Sequence, residues 1–158
     1  MFVNSLIALY LVPKLKTIDT KKAFRIEVVN FYKSLLPYFG GLLILMYLLR
    51  KYVIQLIFTE EFLPAEDLFL WQLLGDFIRV LGMVIAYQFL AKKMFSHFII
   101  LEIFLFTTLY FSSIYLVDVF GLKGAVMGHF FTYLMYFGIV LLLFSSSLFG
   151  VISEDENL

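Results

Sequence analysis

The chain reads as an all-α membrane protein with four full transmembrane helices and a partial helix before them. Three observations predict this. First, 63% of its 158 residues are hydrophobic and 15% charged, against about 45–50% and about 25% in ordinary soluble domains. Second, the mean hydropathy is +0.97, a surplus that a soluble domain of this length cannot hide from water. Third, the stretches 35–58, 68–91, 98–117 and 125–144 each cover a hydrocarbon core about 30 Å thick at about 1.5 Å per residue. Backbone groups in lipid must be paired within their own segment. None of the four stretches alternates with the period of a membrane barrel, so all four are expected to be helices.

Residues 1–13 are apolar but give only about 18 Å of helix, too short to cross. No basic region precedes them and no small-residue cleavage site follows, so they make a poor signal peptide. They are expected to be the end of a truncated transmembrane helix that stops at Pro13; an interfacial N-terminal helix is the alternative. Residues 14–34 carry Lys14, Lys16, Lys21, Lys22, Arg25 and Lys33. Phe24, Val28, Phe31 and Leu35 recur there at helical spacing, and Asp19 or Thr20 stands ready to cap the start. This predicts a basic amphipathic helix lying at the headgroup level before the chain turns into the bilayer. A role in attracting anionic lipid or a lipid-linked phosphate is the sharper alternative.

The short connections between the spans make neighbours antiparallel. Lys92 and Lys93 join the basic 14–34 stretch on one side, whereas Arg50, Lys51 and Lys123 lie on the other. The basic side is therefore expected to be cytoplasmic, with the acidic Glu60–Asp67 loop outside and the 145–158 tail inside.

Charges deep in a span are costly, roughly 2.5–3.5 kcal/mol each, and need a reason. Asp76 and Arg79 lie near the midplane at i, i+3 spacing, which places them where they can pair. They either neutralise one another or line a polar cavity, with Arg79 meeting an anionic group and Asp76 taking a proton. Glu102 lies closer to the inner boundary and either faces that cavity or reaches the Lys92–Lys93 turn. Thr107, Thr108, Ser112 and Ser113 are expected to bond back to the backbone or bridge helices. Gly124 and Gly128 fit the GxxxG pattern of close helix packing. His129, Tyr133 and Tyr136 share a face, either an aromatic packing stripe or a sugar-contacting or proton-carrying surface. There is no cysteine, and His97 and His129 stand apart, so no catalytic, metal or cofactor site is expected. The balanced net charge offers nothing to a nucleic acid.

Several stretches together resemble the C-terminal part of Wzx-type polysaccharide flippases, in the multidrug/oligosaccharidyl-lipid/polysaccharide exporter superfamily. They are Tyr10-Leu11-Val12-Pro13-Lys14-Leu15, Asp67-Leu68-Phe69-Leu70-Trp71-Gln72-Leu73-Leu74-Gly75-Asp76, Gly121-Leu122-Lys123-Gly124-Ala125 and Thr132-Tyr133-Leu134-Met135-Tyr136-Phe137, with Glu102 between. The resemblance implies the end of the second lobe of a two-lobe exporter in the bacterial inner membrane. It also implies ion-driven flipping of an undecaprenyl-pyrophosphate-linked oligosaccharide, with Asp76, Arg79 and Glu102 facing the cavity. Two-lobe alternating access needs more helices than this chain holds, so a partner or missing N-terminal half is expected. The competing expectations are a non-transporting interaction protein, accessory subunit or inert remnant, and a small pore.

Overall fold

The computed structural model describes the backbone of residues 2–57, 65–145 and 148, with side chains from residue 9 onward in that range. Its helices are α1 (Phe2–Lys16), α2 (Lys21–Leu48), α3 (Arg50–Ile57), α4 (Leu68–Ala91), α5 (Phe95–Phe120) and α6 (Leu122–Leu143), and no strand occurs among the described residues. Four of them, α2, α4, α5 and α6, are long and apolar enough to cross a membrane. The acidic pair at 60–61 and the acidic tail at 154–156 lie outside the described residues.

Two expectations about the N-terminal third need correction. Pro13 does not end α1, which runs on to Lys16. A proline forfeits a single hydrogen bond to the carbonyl four residues back, and the last turn is closed instead by Thr17, whose hydroxyl donates to the Lys14 carbonyl at 2.8 Å. The basic stretch after it is not separated from the next span by a turn. Thr20 caps α2 by accepting from the Ala23 amide at 3.3 Å, and α2 then continues unbroken through Pro37 to Leu48. At about 1.5 Å per residue it is roughly 42 Å long, more than the hydrocarbon core, so its first turns project beyond it. The reason is where its apolar stripe lands. Phe24 and Val28 are fully buried, and the Phe24 ring sits 5.8 Å from that of Phe144. The stripe covers protein rather than lipid. The helix breaks at Leu49, and α3 follows.

Charged contacts tie this end together. Lys14 Nζ meets Glu27 Oε1 at 2.7 Å, joining α1 to α2. Hydrogen bonding to that carboxylate raises the Lys14 ammonium above the ordinary lysine range, with Tyr10 assisting. From the α4–α5 turn, Lys92 donates to the Ile18 carbonyl and to Asp19 Oδ1, the latter at 2.8 Å. Beneath these contacts lies the core: Leu11, Leu15, Phe24, Val28, Val84, Ile85, Phe89, Leu101 and Val140.

Helices α5 and α6 form an antiparallel hairpin turned at Gly121, whose φ of +61° suits glycine. A Cβ on Gly124 would lie 1.9 Å from the Leu116 carbonyl oxygen, and one on Gly128 would lie 3.1 Å from the Ser113 backbone. The GxxxG pair thus brings two backbones together. Ser112 reinforces them, with its hydroxyl 3.0 Å from that of Thr132 and 3.4 Å from the Gly128 carbonyl. Helix α4 lies parallel to α6 and also touches α1 and α2. Between α2 and α4, an apolar cavity of about 410 Å³ is lined by residues including Leu36, Gly40, Leu43, Leu73 and Phe77.

Replacing Gly124 with leucine should force α5 from α6 and cost at least the roughly 1–3 kcal/mol of an overpacked core. Gly41→Leu, at a position with nothing within 4 Å of an added Cβ, should cost much less. Equilibrium unfolding in mixed micelles measures both.

Candidate functional site

Helix α4 presents Gln72, Asp76 and Arg79 along one face, one turn apart. That face meets α6 at His129 and Tyr133. The approach depends on glycine. A Cβ on Gly75 would lie 2.3 Å from His129 Cδ2 and 3.2 Å from the Phe130 Cα, and one on Gly82 would lie 3.0 Å from the Tyr136 ring. With no side chain at 75, the imidazole sits directly over the α4 backbone. Trp71 closes the same contact from the other end of the face, its ring edge-on to Phe130 at 5.3 Å.

In that notch His129 Nε2 lies 3.2 Å from Asp76 Oδ1. Gln72 Nε2 donates to Asp76 Oδ2 at 3.2 Å and lies 3.4 Å from His129 Nε2. Both carboxylate oxygens therefore have a partner, as a charge in a membrane helix requires. The imidazole also packs edge-on against Tyr133 at 4.7 Å. The side chains of His129 and Asp76 retain 15% and 33% exposure, so the pair is accessible yet mostly covered.

Asp76 and Arg79 do not form a direct ion pair, contrary to what their spacing suggests. Asp76 is already engaged across the interface, and the Arg79 guanidinium instead rests 5.3 Å from the centre of the Tyr133 ring, a cation–π contact. Arg79 remains within electrostatic reach of both Asp76 and Glu102. Glu102, half-buried on α5, completes the set. Of the five residues singled out in the sequence, Asp76, Arg79, His129 and Tyr133 meet at the α4–α6 contact, and Glu102 on α5 stands within electrostatic reach of Arg79 without touching them. Tyr136, fully buried, continues the aromatic line.

Three residues at this contact, Gln72, Gly75 and Gly82, carried no role in the sequence reading. Gln72 stands four residues before Asp76, the spacing at which an amide reaches a carboxylate on a helix. Gly75 and Gly82 are seven apart, a small-residue repeat on the same helix face. Those spacings were the available signals. Among the described residues no group of three or more His, Cys, Asp or Glu side chains is placed to hold a metal ion.

Gly75→Ala should destabilise the fold by roughly 1–3 kcal/mol through overpacking. A second change, His129→Ala, should recover much of that loss, because it removes the ring the new methyl strikes. A double-mutant cycle on unfolding reads the coupling.

No protein-family model and no solved structure matches this chain. Curated relatives do. The lipid III flippase of Escherichia coli (strain K12) is 32% identical over 138 residues, and that of Shigella flexneri shows the same identity over the same length. The match takes in 87% of this chain and 33% of each relative. The chain therefore spans about a third of the length of the curated relatives it matches. Together with the four spanning helices, this relationship makes it a multi-pass protein of the inner membrane. Over that shared third, the chain is related to the Wzx-type polysaccharide flippases.

Proposed function

We propose that this chain serves in flipping a lipid-linked oligosaccharide across the bacterial inner membrane, as the C-terminal part of a two-lobe transporter. The observation that carries the reading is the charged cluster inside the bilayer. Ionisable groups facing the interior of a helix bundle mark substrate or ion pathways. Here they gather on three helices of a chain related to lipid III flippases. Arg79 is the group for an anionic part of the substrate, such as the pyrophosphate of an undecaprenyl-linked sugar. Its guanidinium holds no carboxylate directly and lies 5.3 Å from the centre of the Tyr133 ring, a contact that uses none of its N–H groups on an anion. Asp76 with His129 serves the coupling ion, Glu102 tunes the field around Arg79, and Tyr133 lines the path. The reaction moves a lipid between leaflets without making or breaking covalent bonds, so the chain acts as a transporter component rather than an enzyme.

Translocation in this reading requires helices equivalent to the remaining two-thirds of the relatives, because alternating access needs two lobes around the site. A second reading, a membrane interaction protein or accessory subunit without transport of its own, draws on that same partial coverage. The basic end bearing Lys14, Lys92 and Lys93 faces the cytoplasm.

Complementation of a strain lacking its lipid III flippase separates the readings. The chain joined to the rest of a relative should restore transport, whereas the chain alone should not. In the restored protein, Arg79→Ala and Asp76→Ala should each lower transport by more than about tenfold, the scale of losing a buried charge partner. Wild-type transport in both variants would remove the cluster from the pathway, and failure of the joined protein to restore transport would favour the accessory reading.

A further inference from the structure

Two polar groups, a carboxylate oxygen and an amide nitrogen, meet one ring nitrogen. His129 Nε2 lies 3.2 Å from Asp76 Oδ1 and 3.4 Å from Gln72 Nε2, and Gln72 Nε2 lies 3.2 Å from Asp76 Oδ2. A ring nitrogen is a donor when it carries a proton and an acceptor when it does not. With the proton on Nε2, the ring donates to Oδ1 while the Gln72 amide serves Oδ2. Without it, Nε2 and Oδ1 are two acceptors face to face, and the contact needs a donor from elsewhere. The Gln72 amide has two N–H groups. One stays on Oδ2, and the other is within reach of Nε2. The cluster therefore has two partner sets that differ by one proton.

We propose that Gln72, Asp76 and His129 form a site that reversibly holds one proton, the Gln72 amide taking the proton's place when it leaves. Gly75 is the positioning residue, because any side chain there would lift the ring from the carboxylate. With Nδ1 keeping its proton throughout, uptake of one solvent proton at Nε2 adds one positive charge and breaks no bond between heavy atoms. The other titratable or charged groups facing the cluster are Arg79 on α4, Tyr133 and Tyr136 on α6, and Glu102 on α5. From α2, Tyr32 is committed to the Leu81 carbonyl. The inference deepens the transport reading above and rests on it only for the use made of the proton.

The chain has two histidines, and the other, His97, is stacked on Phe89 well away from the cluster. His97→Gln therefore leaves His129 as the sole imidazole in the full chain. Nitrogen-15 NMR of labelled histidine in lipid nanodiscs then reads the Nε2 proton from about pH 5 to about pH 9, a range spanning ordinary imidazole titration. The Nε2 proton should be lost as pH rises. Gln72→Leu should move that loss to higher pH, since the deprotonated state loses its donor. Asp76→Asn should move it to lower pH, since the protonated state loses its anion. Gly75→Ala should follow Asp76→Asn. If Gly75→Ala fails to fold, the opposed shifts of the other two variants carry the test. An Nε2 proton that never changes across the range would overturn the proposal. So would shifts of Gln72→Leu and Asp76→Asn in the same direction. In the restored transporter, the pH profile of transport should shift in the same senses. A titrating His129 with no pH-shifted transport supports the proton site and overturns its use in transport.

Discussion

The close approach of α4 to α6 is the constraint on which the rest of the site depends. Lipid chains are as apolar as leucine side chains, so no hydrophobic force draws two such helices together. What holds them is backbone proximity and the hydrogen bonds that proximity allows. Gly75 and Gly82 remove side chains at the two points where the α6 rings and backbone press closest. The same device operates once more on the other side of α6, where Gly124 and Gly128 admit the α5 backbone. Helix α6 is thus gripped on two faces. The polar residues of α4 reach their partners only because of that grip.

Electrostatics divides the cluster into two unlike parts. Asp76 has a polar partner at each oxygen, which answers the desolvation cost of a carboxylate inside the bilayer. Arg79 is arranged differently, resting on an aromatic face and near two carboxylates without bonding either directly. An arginine locked to Asp76 in a bidentate pair would have no N–H groups to spare. By engaging both carboxylate oxygens, His129 from α6 and Gln72 from α4 keep Asp76 off the Arg79 guanidinium. The pairing that sequence spacing favours is local to one helix, whereas the pairing that forms is between helices. The second wins because it also satisfies a histidine that otherwise has no donor or acceptor on its own helix.

Much of the fold was legible because the membrane imposes it. Length and apolarity alone mark the spanning helices, and the small-residue pair at 124 and 128 reveals its own packing role. The hydroxyl of Ser112 does bridge to Thr132 as its position suggests. The N-terminal third was harder to read. A stripe such as Phe24, Val28 and Phe31 looks the same whether lipid or protein will cover it, and only tertiary structure decides. Pro13 looks like a stop, yet it removes only one backbone bond from a helix held by its neighbours. In the site, every charged member was visible as an anomaly in an apolar segment. Gln72 and Gly75 were not, because an uncharged amide and a missing side chain raise no such alarm. Their meaning comes from His129, more than fifty residues away.

The distribution of contacts also says which parts of the molecule the site depends on. The core lies toward the basic end, where Lys14 reaches Glu27 and Lys92 reaches Asp19. Farther along, α2 stands off from α4 across the apolar cavity of about 410 Å³, and Tyr32 ties it to the Leu81 carbonyl below that gap. Helices α4, α5 and α6 are joined by contacts that leave no room even for a methyl group. Shifting α2 against α4 would change the cavity between them but none of the distances within the charged cluster. Separating α4 from α6 would break every contact to His129 and Tyr133 and leave only the Gln72–Asp76 bond, which is internal to α4. The hydrogen-bond geometry of Asp76, His129 and Gln72 is therefore internal to α4 and α6.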